Sequence, residues 1–155
     1  MHAATMLIRP FDEPDGPAVV ALWQACGLTR PWNDPARDIA RKLAVQRDLF
    51  LVGIQDGVLM ASAMAGYDGH RGWVNYLAVH PDWRRRGHGE ALMREVERRL
   101  LALGCPKLNL QVRSGNTQVL DFYRALGYLQ DEVVSLGKRL ISDTTADAPP
   151  RSSTP

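Results

Sequence analysis

The stretch that most constrains the fold is residues 74–103, VNYLAVHPDWRRRGHGEALMREVERRLLAL. Residues 74–79 run branched and aromatic without polar alternation, which suits a strand covered on both faces. Pro81 ends it, since proline has no N–H for a ladder and biases His80 away from helix. A helix then follows over about residues 89–103. Leu92, Val96 and Leu100 form its buried stripe, and Glu90/Arg94 and Glu95/Arg99 are acid-before-base pairs on the wet side. Gly104 and Pro106 close it.

Between strand and helix lies Arg84-Arg85-Arg86-Gly87-His88-Gly89. The two glycines stand where the first free N–H groups of a helix point outward, and without Cβ atoms they let an anion approach the backbone. The arginines add charge and forked donors. A diphosphate fits such a turn; taken alone, the same residues also fit a solvated surface turn. No Gly-Lys-Ser/Thr follows, which excludes a Walker loop, and Leu92 stands where a dinucleotide fingerprint needs Gly or Ala.

At 155 residues the chain has the length of about one domain, with a sizeable core. Nineteen basic against seventeen acidic residues give a net charge of +2, which favours neither nucleic acid nor a membrane as partner. No apolar run reaches the roughly 20 residues of a membrane span, and the N-terminus lacks a signal-peptide pattern. Two cysteines offer no disulfide framework, so a cytoplasmic setting is the default expectation. Four scattered histidines lack metal-ligand spacing.

In chain order, residues 6–9 read as a first strand and residues 13–26 as a helix after Asp12. A loop with Trp32, Asn33 and Asp34 leads to a second helix capped by Asp34, with Pro35 at its first position. Residues 49–54 and 58–65 flank Asp56-Gly57, a strong hairpin signal. A Gly-rich connection, residues 67–72, enters the central strand. Residues 107–112 predict another strand, Asn116 caps a helix ending at Leu126, and a last strand is expected within residues 128–140. Residues 142–155 are polar and rich in Pro, Ser and Thr, which predicts a disordered tail after a single domain over residues 1–141. Hairpins leading into a strand–helix–strand crossover make the class α/β or α+β with a mixed, mainly antiparallel sheet.

Residues 77–93, LAVHPDWRRRGHGEALM, together with residues 108–128, LNLQVRSGNTQVLDFYRALGY, resemble the GNAT superfamily of acetyl-CoA-dependent N-acetyltransferases. The family pattern Arg/Gln-x-x-Gly-x-Gly/Ala falls on Arg84, Gly87 and Gly89. Its second signature falls on Asn116, Phe122-Tyr123 and Leu126-Gly127-Tyr128. Two motifs in order and at this spacing tip the balance from solvated turn to ligand site. More narrowly, residues 30–35 and 67–72 resemble the bacterial YpeA-like branch, a kinship that carries no substrate.

The resemblance implies a sheet with a central, splayed parallel strand pair and about four helices. Acetyl-CoA would be the cosubstrate, with no metal. Pantetheine would lie along Leu77, Ala78 and Val79, and the pyrophosphate on the N–H groups of Arg85, Arg86, Gly87, His88, Gly89 and Glu90 beside Arg84. Asn116 would hydrogen-bond pantetheine, its alternative role being a plain N-cap. Tyr123 would be the general acid that protonates the departing thiolate, its phenol (pKa about 10) being near a thiol's range; it would also touch the cofactor. Some relatives place a Glu base five residues before the Asn, where this chain has Gln111. Asp68, His70, Tyr76 or a water chain are the substitutes. Trp32, Asn33, Asp34 and the Tyr67–Arg71 loop, with Asp68 and His70 in it, are candidates for the acceptor wall together with Tyr76, with an amine of unknown identity as acceptor and a monomer or homodimer as the assembly. The rival readings are an acyl-CoA-binding sensor with little catalysis and nucleic-acid binding through Arg84–Arg86.

Overall fold

The computed structural model describes residues 5–144. The elements are β1 (Leu7–Pro10), α1 (Gly16–Ala25), α2 (Pro35–Leu43), β2 (Phe50–Gln55), β3 (Val58–Tyr67), β4 (Gly72–Val79), α3 (His88–Ala102), β5 (Leu108–Asn109) and α4 (Thr117–Ala125), with three short 3-10 turns between them. The sheet runs β1-β2-β3-β4-β5. The first four strands are antiparallel neighbours, and β5 lies parallel to β4. This is the mixed, mainly antiparallel sheet with four helices that the element order predicts.

Two of the four helices, α2 and α4, start at a side-chain cap that the sequence supplies. The Asp34 carboxylate accepts from the N–H groups of Ala36 (3.0 Å) and Arg37 (3.4 Å), and Pro35 opens α2 without wasting a donor. Asp12 caps a 3-10 turn instead of α1 itself. It forms a reciprocal box with Asp15, and α1 begins one turn later at Gly16.

The sheet is covered on both faces. On one, Val19, Leu22 and Trp23 of α1 and Ile39 of α2 pack on Phe50, Val52 and Ala78. On the other, Leu92, Met93, Val96 and Leu100 of α3 and Tyr123 of α4 pack on Leu51, Met60, Ala63, Ala65 and Val74. The continuous apolar runs of the sequence follow from this double burial.

Two strand expectations are corrected. Pairing between β4 and β5 is confined to Gly72–Leu108 and Trp73–Asn109. Beyond those two rungs the strands part, so the strand expected over residues 107–112 shortens to two residues. No strand forms within residues 128–140, where a last one is expected. A strand exists only by its ladder, and the parted, two-residue β5 offers almost none. The tail expected from residue 142 lies, from residue 145 on, outside the described residues. Its first residues are anchored, because the Asp143 side chain is buried against α2.

Candidate active site

The site is built where β4 and β5 part. At that point β4 carries a bulge: its register on β3 shifts between Ser62 and Met64, and Tyr76 takes a φ of +53°. A bulky side chain rarely adopts this left-handed backbone, so the surroundings must hold it there. They do so at three points. The Ser62 hydroxyl donates to the Tyr76 carbonyl (2.9 Å) and accepts from Trp23 Nε1–H (2.9 Å). The Tyr76 ring stacks on Trp23, with centroids 3.7 Å apart. The Tyr76 hydroxyl donates to Asp38 Oδ2 at 2.6 Å. Burial, and then the Asp38 carboxylate, push the Tyr76 phenol far above its ordinary pKa, so it stays protonated and cannot serve as a base.

A cleft of about 780 Å³ opens along the parting, within the usual range of small-molecule sites. Asn75, Tyr76 and Leu77 line it from β4, residues 110–113 from the chain after β5, Asn116, Val119 and Tyr123 from α4 and its cap, and Asn33 and Asp38 from the α2 side. Tyr123 is buried, and its hydroxyl makes no hydrogen bond among the described residues. Burial raises its pKa to about 12, so at neutral pH it is a protonated phenol facing the cleft. Asn116 fills its structural role, its Oδ1 accepting from Val119 N–H at 3.3 Å, which leaves the amide NH₂ free.

At the Val79 end of β4 the chain turns into α3. Arg85 (φ +65°) and Gly87 (φ +79°) twist the turn, and Gly87 is the N-cap. Among the described residues, the six successive N–H groups from Arg85 to Glu90 have no partner in the chain; the ladder of α3 resumes with Ala91 N–H to Gly87 O. With the positive end of a four-turn helix behind them, these groups form an anion cradle. The two glycines differ in role. Gly87 is open, whereas a Cβ at Gly89 would lie 3.1 Å from the Phe122 ring, so Gly89 chiefly lets α4 approach α3. Arg84 does not point into the turn: its Nε donates to Val79 O at 3.1 Å, and Cys26 Sγ donates to the same carbonyl at 3.4 Å. Arg86 lies over the Trp83 ring at 5.1 Å.

The structure gathers Asn33, Tyr76, Leu77, Asn116 and Tyr123 around the cleft, whereas Val79 and residues 84–90 lie outside its lining, at the end of β4 and in the turn into α3. Ala78 is buried toward α1, opposite Ser62. Trp32 and Asp34 flank Asn33 outside the lining, with Asp34 used as the cap of α2. Tyr67, Asp68 and His70 lie in the β3–β4 hairpin. That hairpin is at the other end of β4, roughly 23 Å from Val79 at 3.3 Å per residue. There Asp68 Oδ1 accepts from the N–H groups of His70 (2.8 Å) and Arg71 (2.7 Å), which lowers its pKa and ties it to the turn.

Asp38 is the residue that sequence reasoning missed. It stands four residues after the cap Asp34, where an acid in a first turn is explained by the helix dipole. Only the packing of α2 against β4 turns it toward Tyr76 and the cleft. Arg41 Nη1 contacts its other oxygen at 3.4 Å.

The family model for the acetyltransferase (GNAT) family matches residues 17–128. An acetyltransferase of Sodalis glossinidius is 52% identical over 139 residues, covering 89% of this chain and 98% of its relative. Among solved structures, a putative acetyltransferase from Agrobacterium tumefaciens superposes with a TM-score of 0.72 at 19% identity, over 86% of this chain and 99% of that one. An aminoglycoside N-acetyltransferase in complex with CoA gives 0.69 at 21% identity, over 90% and 98%. These two share the fold, and the second holds CoA. A splayed parallel pair beside an open helix N-terminus, a family match over most of the chain and a half-identical acetyltransferase agree: this chain belongs to the acetyltransferase (GNAT) family.

Proposed function

We propose that the protein transfers the acetyl group of acetyl-CoA to a primary amine by direct attack, with both substrates bound together. The observation that carries this reading is the pairing of an anion cradle, in the turn that follows β4, with a cleft along the same strand that holds an unpartnered, protonated Tyr123 hydroxyl. The pyrophosphate sits on the N–H groups of residues 85–90, and pantetheine follows the gap left by β5, along Leu77 and Asn116. The amine nitrogen attacks the thioester carbonyl, the C–S bond breaks, and the CoA sulfur takes the Tyr123 proton. Held near 12, the phenol keeps its proton at neutral pH and so has one to give as charge develops on the departing sulfur.

The amine enters from the α2 side, past Asn33 and Tyr76, and Asp38 is the carboxylate there that receives its ammonium charge or its proton. This assignment replaces Asp68, His70 and Tyr76 as base and leaves the β3–β4 hairpin out of the acceptor wall. Residues 30–35 and 67–72 support a place in the YpeA-like branch. The test is CoA release with a panel of primary amines, with Tyr123→Phe measured beside the parent. Turnover falling about 100-fold or more with acetyl-CoA affinity kept supports the reading. Equal rates would remove Tyr123 from the mechanism. Acetyl-CoA binding with no turnover on any amine would favour the acyl-CoA sensor.

A further inference from the structure

Residues 129–141 carry Leu129, Val133, Val134, Leu136, Leu140 and Ile141, each between 65% and 91% exposed. So many large apolar side chains along one short segment are out of the ordinary for a free surface. The segment forms no strand, and a groove of about 1540 Å³ opens between it and β5. It is tethered at intervals of four residues. Asp131 accepts from Lys107 (2.9 Å), Ser135 accepts from Gln111 Nε2 (2.5 Å), and Arg139 donates to Asn33. Lys107, Gln111 and Asn33 hold the segment at Asp131, Ser135 and Arg139, while Glu132, Val134, Leu136, Lys138 and Leu140 between and beside these tethers are exposed. Glu132 and Lys138 make no ion pair among the described residues, and Val134, Leu136 and Leu140 are the most exposed of the set save Leu129.

The order of these residues says what covers them. Around Ser135 the sequence is Asp-Glu-Val-Val before and Leu-Gly-Lys-Arg after: acidic, apolar, then apolar, basic. Laid antiparallel on itself with Ser135 at the centre, Glu132 meets Lys138 of the partner subunit and Val134 meets Leu136 of the partner subunit. The two-fold axis repeats both contacts. Laid parallel in register, like charges would face each other. The self-complementarity holds in one orientation and one register, which is a requirement on the sequence that a merely solvated segment does not have.

We propose that residues 131–139 are a dimerisation strand that pairs antiparallel with the same segment of a second copy, about a two-fold axis at Ser135. The pairing supplies the ladder that the parted β5 does not, and takes the exposed apolar stripe out of water.

The test is sedimentation equilibrium of the full chain over a wide concentration range, on the parent, Glu132→Lys and Lys138→Glu. The parent self-associates to a dimer. Each charge reversal sets like charges opposite each other twice and weakens the dimer about tenfold or more. An equimolar mixture of the two variants restores it, because each then meets its opposite at both contacts. Both positions are at the surface, and thermal melts matching the parent's confirm that the variants fold. Val134→Asp, which breaks the apolar centre, dissociates the dimer without touching the ion pairs. A parent that stays monomeric, variants that associate as the parent does, or a mixture that fails to recover each overturn the proposal.

Discussion

Tyr76 pairs a backbone conformation unfavourable to its side chain with contacts on every part of the residue: carbonyl, ring and hydroxyl. Ser62 is the hinge of that arrangement, fully buried and bonded on both sides. Ser62→Ala leaves the Trp23 N–H and the Tyr76 carbonyl without their partner in a water-poor interior. We expect a loss of about 1–3 kcal/mol in urea unfolding, together with weaker acetyl-CoA binding as the bulge relaxes. A variant as stable as the parent would mean that water or a backbone shift replaces the hydroxyl. Gly89 is the other residue decided by a single atom. Gly89→Ala drives its Cβ to within 3.1 Å of the Phe122 ring. The expected cost is about 1–3 kcal/mol, recovered in part when Phe122→Leu is added. Absence of recovery in the double variant would place the cost in the helix start instead.

Among the elements, α2 joins the α1 side of the sheet to the end of the described chain. Asp143 accepts from Asp34 N–H (2.8 Å) and from Arg41 Nη2 (2.6 Å), and so links the start of α2, its last turn and the end of the described chain. The Arg41 guanidinium, then the Asp34 N–H, hold the Asp143 carboxyl at about 2. An unfolded aspartate titrates near 3.9. The folded value is the lower one, so the stabilisation is complete above about pH 4 and disappears as pH falls through the folded value toward 2. Melting curves of Asp143→Asn should therefore lie below the parent's at pH 6 and converge with them only below about pH 2. A constant gap across that range would exclude the charge as its cause. On α3, the Arg98 hydrogen bonds, aided by Arg99, hold Glu95 likewise at about 2, so the parent itself softens over the same acid window.

At the scale of the whole molecule, the fold reads as an antiparallel platform, β1 to β4, that delivers one strand end and one helix start to the same place. A ligand that bridges the cradle and the cleft therefore ties α3, β4 and α4 together. Acetyl-CoA at 100 times its Kd should add about 2.7 kcal/mol of stability, read as a rise in Tm. No rise would separate this chain from the cofactor of its family. Much of this was legible in the sequence because it is local. Caps at Asp34 and Asn116, the Asp56-Gly57 hairpin, the amphipathic stripe of α3 and the free N–H groups before it are set by residues within one or two turns of each other. Of the motif residues, Asn116 and Tyr123 line the cleft, and Gly87 lies in the turn after β4. What stayed illegible depends on partners far apart in the chain. The sequence gives no sign that Asp38 meets Tyr76, that Gly89 is small for Phe122's sake, that Arg84 serves Val79 or that Asp143 meets Arg41. The β3–β4 hairpin looked like part of the site because Tyr67, Asp68 and His70 are chemically apt and close in sequence to Tyr76. An extended strand carries them to its opposite end. Residues 128–140 show the converse: a last strand is expected there, but a strand is completed by its neighbour, and only the tertiary structure, in which β5 parts from β4, decided that this chain alone does not provide one.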